Sequence, residues 1–366
     1  MKLPKIPLAQ TVLKLCEHKG IKHIIISPGS RNAPLTIGFT NNPKFKCYSI
    51  VDERCAAFFA LGIAQQIQEP VALVCTSGSA LLNYFPAVAE AYYSNIPLVV
   101  ISADRPNYLI VIGDGQTIDQ KNVFGTHSLF NANLKEDIEP EKESEEEEPT
   151  IIKNLENKLE KFLGIQKSIQ EENERLVNQA LTVAQNDQGP IHINVPLSEP
   201  LYNMVDDYTI DPRMDTTNID APNKEVVVLE KFVEHWNASK RKMILVGTCQ
   251  PNTIEQQYLN KIIDDDRVII FTETSSNLHH PDIFPSIDKI IAPLTDSEFK
   301  KLQPEIVLTF GGMIVSKKIK AFLRQYQPQQ HWHVGGSKAN DTFFCLNEHI
   351  KTKPNTFLSE FSTLTS

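Results

Sequence analysis

Four short polar segments, each with residues able to exchange protons or grip a ligand, follow directly on four apolar runs of the chain. They are Ser27-Pro28-Gly29-Ser30-Arg31-Asn32, Val51-Asp52-Glu53-Arg54, Cys75-Thr76-Ser77-Gly78-Ser79 and Ser102-Ala103-Asp104-Arg105-Pro106. Taken singly, each has a plain structural use. Pro28-Gly29-Ser30 could be a turn whose serine caps the next helix. Thr76-Ser77-Gly78-Ser79 could be a tight turn of the same kind, or a place where the backbone approaches a flat ligand because Gly78 has no side chain. Asp104-Arg105 could be a surface ion pair worth about 0–1 kcal/mol. Glu53 falls in the first turn of a helix, where the dipole favours a carboxylate. That does not explain why an acid follows so closely on a buried strand.

The elements that position these segments are legible from periodicity. Short Ile- and Val-rich runs at 23–27, 47–51, 71–76, 98–103 and 191–195 alternate with amphipathic stretches at 8–19, 33–40, 53–68, 80–94 and 150–185. This predicts an α/β fold with a parallel sheet covered by helices. Ala56, Ala60, Leu61, Ala64 and Ile67 form one apolar helix face. A Pro- and Asp-rich passage from 196 to 222 reads as a linker, and a second alternation follows: helices at 224–239, 253–263 and 317–326, strands at 243–247, 267–272, 306–311 and 331–334. The expected organisation is two doubly wound domains, 1–200 and 223–366, with a linker at 201–222. Ligands of such sheets bind beyond the carboxyl ends of the strands, where all four polar segments fall.

Composition narrows the function classes. The chain has 366 residues, 41% hydrophobic and 22% charged, as in a globular protein. Its net charge of −9 is concentrated between Glu136 and Glu148, where nine acids and one base carry −8, so the rest is nearly neutral. An insertion at 134–149 therefore reads as a solvated acidic loop, and the basic excess of a nucleic-acid binder is missing. The longest apolar run, 96–103, has eight residues, too few to span a bilayer, and no secretion signal opens the chain. Six cysteines without a Cys-x-x-Cys pair suggest reduced thiols in a cytoplasmic protein and argue against zinc. No Gly-x-Gly-x-x-Gly follows the first strand, and Ser79 lacks the Gly-x-Ser-x-Gly elbow of a serine hydrolase.

As an ordered set, Ser27-Pro-Gly-Ser-Arg-Asn-Ala-Pro-Leu35, Val51-Asp-Glu-Arg54, Thr76-Ser-Gly-Ser-Ala80, Ser102-Ala-Asp-Arg-Pro106 and Gly115-Gln-Thr-Ile-Asp-Gln120 resemble the N-terminal signature of the 2-succinyl-5-enolpyruvyl-6-hydroxy-3-cyclohexene-1-carboxylate synthases. These are the thiamine-diphosphate enzymes of menaquinone biosynthesis. The resemblance resumes at Gly189-Pro-Ile-His-Ile-Asn-Val-Pro-Leu-Ser-Glu-Pro200 and at Gly311-Gly-Met-Ile-Val-Ser-Lys-Lys318. It implies a pyrimidine-binding domain followed by a Rossmann-like central domain. Glu53 would be the catalytic acid, exchanging a proton with N1′ of the cofactor's aminopyrimidine, a task suited to a buried carboxyl. Pro28, Thr76, Ser77 and Gly78 would line the cofactor. The reaction implied is decarboxylation of 2-oxoglutarate and addition of a succinyl carbanion equivalent to isochorismate. Both substrates carry carboxylates, which gives arginine forks and lysines a reason to be there. Ser30, Arg31, Arg105 and Gln116 would bind on the isochorismate side, with Lys317 reaching in from the central domain.

The resemblance also implies a homodimer or higher homo-oligomer, and Mg²⁺ holding the diphosphate on a third domain, which would require a further ~180–200 residues at typical domain sizes. That diphosphate-binding domain is expected to be absent from the chain, so the chain alone is expected to be inactive. Gly113-Asp114-Gly115 imitates the metal-binding motif, but Asn131 and Asn133 come too early and the tract beyond is acidic. Two other readings stand beside this one: another thiamine-diphosphate carboligase acting on 2-oxo acids, or a non-catalytic Rossmann-like nucleotide-binding or regulatory subunit. His279-His280 and His331-x-His333 are thin metal candidates, better read as ordinary polar residues.

Overall fold

The apolar runs of the first half become strands of one parallel sheet. The computed structural model describes residues 1–110, 112, 115–137, 152–214, 229–336 and 338–365. The chain divides into two units, Met1–Ile219 and Asp220–Ser366. The first unit contains β1 (Leu3–Pro4), β2 (His23–Ile26), β3 (Lys46–Ser49), β4 (Val71–Cys75), β5 (Leu98–Asp104), β6 (Phe130–Asn133), β7 (Ile191–Pro196) and β8 (Met204–Val205). Its main sheet runs β3-β2-β4-β5-β7-β6, every neighbouring pair parallel. The helices are α1 (Pro7–His18), α2 (Ala33–Asn41), α3 (Glu53–Ile67), α4 (Ser79–Leu82), α5 (Phe85–Ser94), α6 (Asn107–Ile110) and α7 (Ile152–Asp187).

Alternation along the strands creates two cores, because successive side chains point to opposite faces. Ile24 and Ile26 pack with Val12 and Leu13 of α1, Phe39 of α2 and Leu181 of α7. Ile25, Leu73 and Cys75 pack with Ala56 and Ala60 of α3 and with Tyr84 and Val88. Sheets buried on both faces in this way read as continuous apolar runs, which is why their strands were visible in sequence. Register then lines up the strand ends: Cys75 lies beside Ser102, and Ser102 beside Asn194.

Three features differ from expectation. The helix expected over 80–94 is split into α4 and α5. Pro86 has no N–H to donate to Leu82, and Asn83 and Tyr84 donate instead to Ala80 and Leu81. The acidic insertion lies outside the described residues from position 138 on. Its beginning is anchored rather than solvated: Asp137 accepts from Leu8 N at 2.8 Å in the first turn of α1 and from Gln166 at 2.9 Å. Of the expected linker, Met204–Val205 pairs antiparallel with β1, and Thr209 N donates to Gln10 Oε1 at 2.8 Å.

The second unit contains β9 (Lys242–Val246), β10 (Val268–Phe271), β11 (Ile306–Phe310), β12 (Gln330–Val334) and β13 (Glu348–Ile350). They form a parallel sheet in the order β10-β9-β11-β12-β13. Its helices are α8 (Glu230–Ala238), α9 (Gln256–Ile263), α10 (Ile287–Ile291), α11 (Asp296–Leu302), α12 (Lys317–Gln325) and α13 (Pro354–Leu364). Trp236, Trp332 and Phe361 fill the core on one face, Leu245, Phe322 and Phe343 on the other. Both units are therefore doubly wound α/β folds. Among the described residues no helix is long and apolar enough to cross a membrane.

Candidate active site

Because the strands of the first sheet are all parallel, the segments after β2, β3, β4, β5 and β7 share one edge. The first loop is stitched by Asn32, whose side chain accepts from Gly29 N and donates to Ser27 O, each at 2.9 Å. It packs against the third loop: a Cβ on Gly29 would lie 2.5 Å from Thr76 Cβ. Pro28 and Ser30 are exposed on it, whereas Arg31 is buried. The Arg31 guanidinium donates to Leu197 O at 3.0 Å and to Glu199 Oε1 at 3.4 Å.

Glu53 opens α3, whose end is capped by Asp52 accepting from Cys55 N at 2.9 Å. Glu53 is half-buried. Its carboxylate makes no hydrogen bond or ion pair among the described residues. Its charge is nevertheless felt inside. Burial first, then Glu53, pushes the Cys75 thiol up. Burial, then Cys75 and Glu53, holds the Tyr84 phenol well above its usual range. Tyr84 in turn donates to Val74 O at 3.1 Å and to Ser27 Oγ at 3.3 Å, tying this acid's surroundings to the first loop.

The Arg105 side chain joins the remaining segments. Its Nη1 donates to Ser77 Oγ and to Gln116 O, both at 2.6 Å. Gln116 Nε2 reaches Ser79 Oγ at 3.4 Å. Arg105 itself is set by Asp104, whose Oδ1 accepts from Arg105 N and whose Oδ2 accepts from Asn194, each at 2.8 Å. Burial raises the Asp104 pKa, with those two hydrogen bonds opposing it. Arg31 connects to the same group through one residue: it donates to Leu197 O, while Leu197 N donates to Asp104 O at 3.0 Å.

Gly78 has a φ of +85°, and a Cβ there would come within 2.6 Å of the Gln116 carbonyl oxygen. Its missing side chain thus admits the 115–120 loop. Lys317 is exposed at the first position of α12, in the second unit. Its helix is capped by Ser316, which accepts from Ile319 N at 3.1 Å, and Glu273 accepts from Val315 N at 2.8 Å and Ser316 N at 2.5 Å. Of the decoy motif, Gly113 and Asp114 lie outside the described residues. Among the described residues no cluster of three or more His, Cys, Asp or Glu could hold a metal. Asn32, Tyr84, Gln120 and Asn194 support the edge but were given no role from sequence. Three of the four stand inside the quoted motifs, the only signal that could have found them.

Along this edge a half-buried acid without a side-chain partner among the described residues stands near a loop held by arginine, and residues 6–123 match the family model described as thiamine pyrophosphate enzyme, N-terminal TPP binding domain. More particularly, the chain is similar to 2-succinyl-5-enolpyruvyl-6-hydroxy-3-cyclohexene-1-carboxylate synthases. It is 53% identical over 358 residues to that of Flavobacterium psychrophilum, covering 98% of this chain and 59% of the relative. It is 54% identical over 353 residues to that of Christiangramia forsetii, covering 95% and 59%. Identity to the synthase of Phocaeicola vulgatus is 37% over 365 residues, covering 98% and 59%. The resemblance read from the motifs holds along nearly the whole chain, which spans 59% of the length of these curated relatives.

Proposed function

We propose that this chain supplies the pyrimidine-binding and central domains of a synthase that decarboxylates 2-oxoglutarate and joins the remaining four-carbon unit to isochorismate in menaquinone biosynthesis. Bound thiamine diphosphate supplies the nucleophile and electron sink for that reaction. The residues fit its pyrimidine end: a half-buried carboxylate without a partner among the described residues is free to hold a proton on a ring nitrogen. Glu53 would hold or return that proton at N1′, with Pro28, Thr76, Ser77 and Gly78 around the ring. Here Ser77 and Gly78 act chiefly through the loop they carry.

Arg31, Arg105, Ser30 and Gln116 would bind the isochorismate carboxylates and hydroxyl, with Lys317 contributing a further cation. The carrying observation is Arg105 Nη1 at 2.6 Å from both Ser77 Oγ and Gln116 O, which fuses three of the implied binding segments into one wall. Another carboligase of the superfamily would not need this acceptor-side grouping. We place Mg²⁺ and the diphosphate on a diphosphate-binding domain contributed across a homodimer or higher homo-oligomer. The six free thiols suit the reducing cytoplasm.

The test is calorimetry with thiamine diphosphate and Mg²⁺ on this chain and on one extended through the downstream reading frame. Tight binding confined to the extended form, with isochorismate-dependent release of carbon dioxide, is the expected result. NAD binding to the short chain, or an extended chain blind to thiamine diphosphate, would overturn the proposal.

A further inference from the structure

The 115–120 segment crosses the carboxyl edge of the sheet as a strap, and one side chain fastens it. Gln120 is wholly buried, at 0% exposure. Its Oε1 accepts from Gly78 N at 2.7 Å. Its Nε2 donates to Asn194 Oδ1 at 2.8 Å, to Ala103 O at 3.2 Å and to Ser102 Oγ at 3.3 Å. A single amide thereby bridges the ends of β4, β5 and β7. Asn194, which accepts from it, also donates to the carboxylate that fixes the Arg105 backbone. Four residues before Gln120, the Gln116 carbonyl receives the Arg105 guanidinium and the Ser77 hydroxyl. Both sides of the Arg105–Gln116 contact therefore trace back to the same buried amide.

We infer that Gln120 is a positioning residue: it fixes the strap against the strand ends and so sets the Arg105 guanidinium and the Gln116 side chain at the spacing the acceptor substrate requires. The inference rests on the synthase reading for what is bound, and on the geometry alone for what is held. A buried amide with both ends satisfied can do this where a carboxylate or a thioether cannot. Glutamate at this position would face Asn194 Oδ1 and Ala103 O with an acceptor, and methionine would leave Gly78 N unpaired.

The experiment compares the parent with Gln120→Glu and Gln120→Met in the extended, active enzyme, alongside amide exchange in this chain. In either folded variant the KM for isochorismate should rise roughly tenfold or more, since small misplacements of binding groups are costly, while kcat and the KM for 2-oxoglutarate change far less. A folded variant whose isochorismate KM stays within a factor of about two, or whose two KM values rise together, would overturn the assignment. In the unsubstituted chain the Gly78 amide should exchange as slowly as those of Val71–Cys75, although it lies in a loop. Rapid exchange there overturns the assignment even if both variants fail to fold. A parent with no synthase activity would instead remove the reading of the substrate, and the amide measurement would still decide the strap.

Discussion

His192 lies inside the network beneath the candidate site, and replacing it with glutamine should alter the acid sensitivity of the first unit. Its ring is fully buried in β7, with Nε2 2.7 Å from Ser102 Oγ, and burial pushes its pKa down from 6.5 to about 3. The unfolded chain takes up this proton near the ordinary value, the native chain only far below it. The resulting stability is complete above the unfolded pKa and drains away as the pH falls toward the native one. Between pH 8 and pH 5 linkage puts the loss at roughly 2 kcal/mol, about a thirtyfold change in the folding equilibrium. His192→Gln keeps a partner for Ser102 and sheds the proton uptake. Its loss over the same interval should therefore be smaller than the parent's by about 2 kcal/mol. The readout must be local, because both tryptophans, Trp236 and Trp332, lie in the second unit. Urea-dependent hydrogen exchange of the β5 and β7 amides at the two pH values supplies it. Equal losses in parent and variant would refute the reasoning, for the buried imidazole would then be charging in the native state without cost.

In the extended synthase proposed above, Glu53→Gln should cost about 10²–10⁴ in turnover, the usual range for a proton-transfer group, and leave the thermal midpoint in place because the carboxylate has no bond to lose among the described residues. Steady-state rates and a melting curve check both halves, and full activity in the variant would sink the assignment. Gly78→Ala forces a side chain onto a φ of +85° and against the Gln116 carbonyl. It should destabilise the first unit by about 1–3 kcal/mol. A urea midpoint equal to the parent's would show that the strap does not need that space.

The strands of both sheets were legible because they are buried on both faces and bounded by turn residues. Two of the four edge strands, β6 and β13, were not. In β6, Phe-Asn-Ala-Asn has no apolar run, and β13 is only Glu-His-Ile, so pairing with β7 and β12 rather than local pattern makes them strands. The break at Asn83–Tyr84 could have been read from Pro86, but the Tyr84 hydroxyl's reach to Val74 O could not. The polar segments were legible as a set because topology sends every strand of a parallel sheet out at one edge. What the sequence concealed was their fastening. Gln120 bonds Gly78 and Asn194, partners 42 and 74 residues away, and no local signal distinguishes such an amide from an exposed one.

The two sheets share the order of their first four strands, and each offers a crevice where the strand order reverses, the position at which a nucleotide would enter a Rossmann-like fold. In the second unit that position lies between β9 and β11, and the chain has already filled it. Gly312 N donates to Thr248 O at 2.7 Å, and Thr248 N donates to Met313 O at 3.3 Å. A Cβ on Gly247 would fall 2.1 Å from the Gly312 carbonyl oxygen. Glycines that would let a backbone approach a pyrophosphate here let two loops approach one another. A nucleotide seated between them would have to part both main-chain bonds without offering donors and acceptors in the same places. In the first unit the corresponding loops touch through the Thr76 side chain, Glu53 and Arg105 follow the neighbouring strand ends, and Gln116 is held against them by Arg105. The strand order shared around the two reversal points thus gives one crevice closed by its own loops and one candidate site, and the difference lies in what each pair of glycines is made to face.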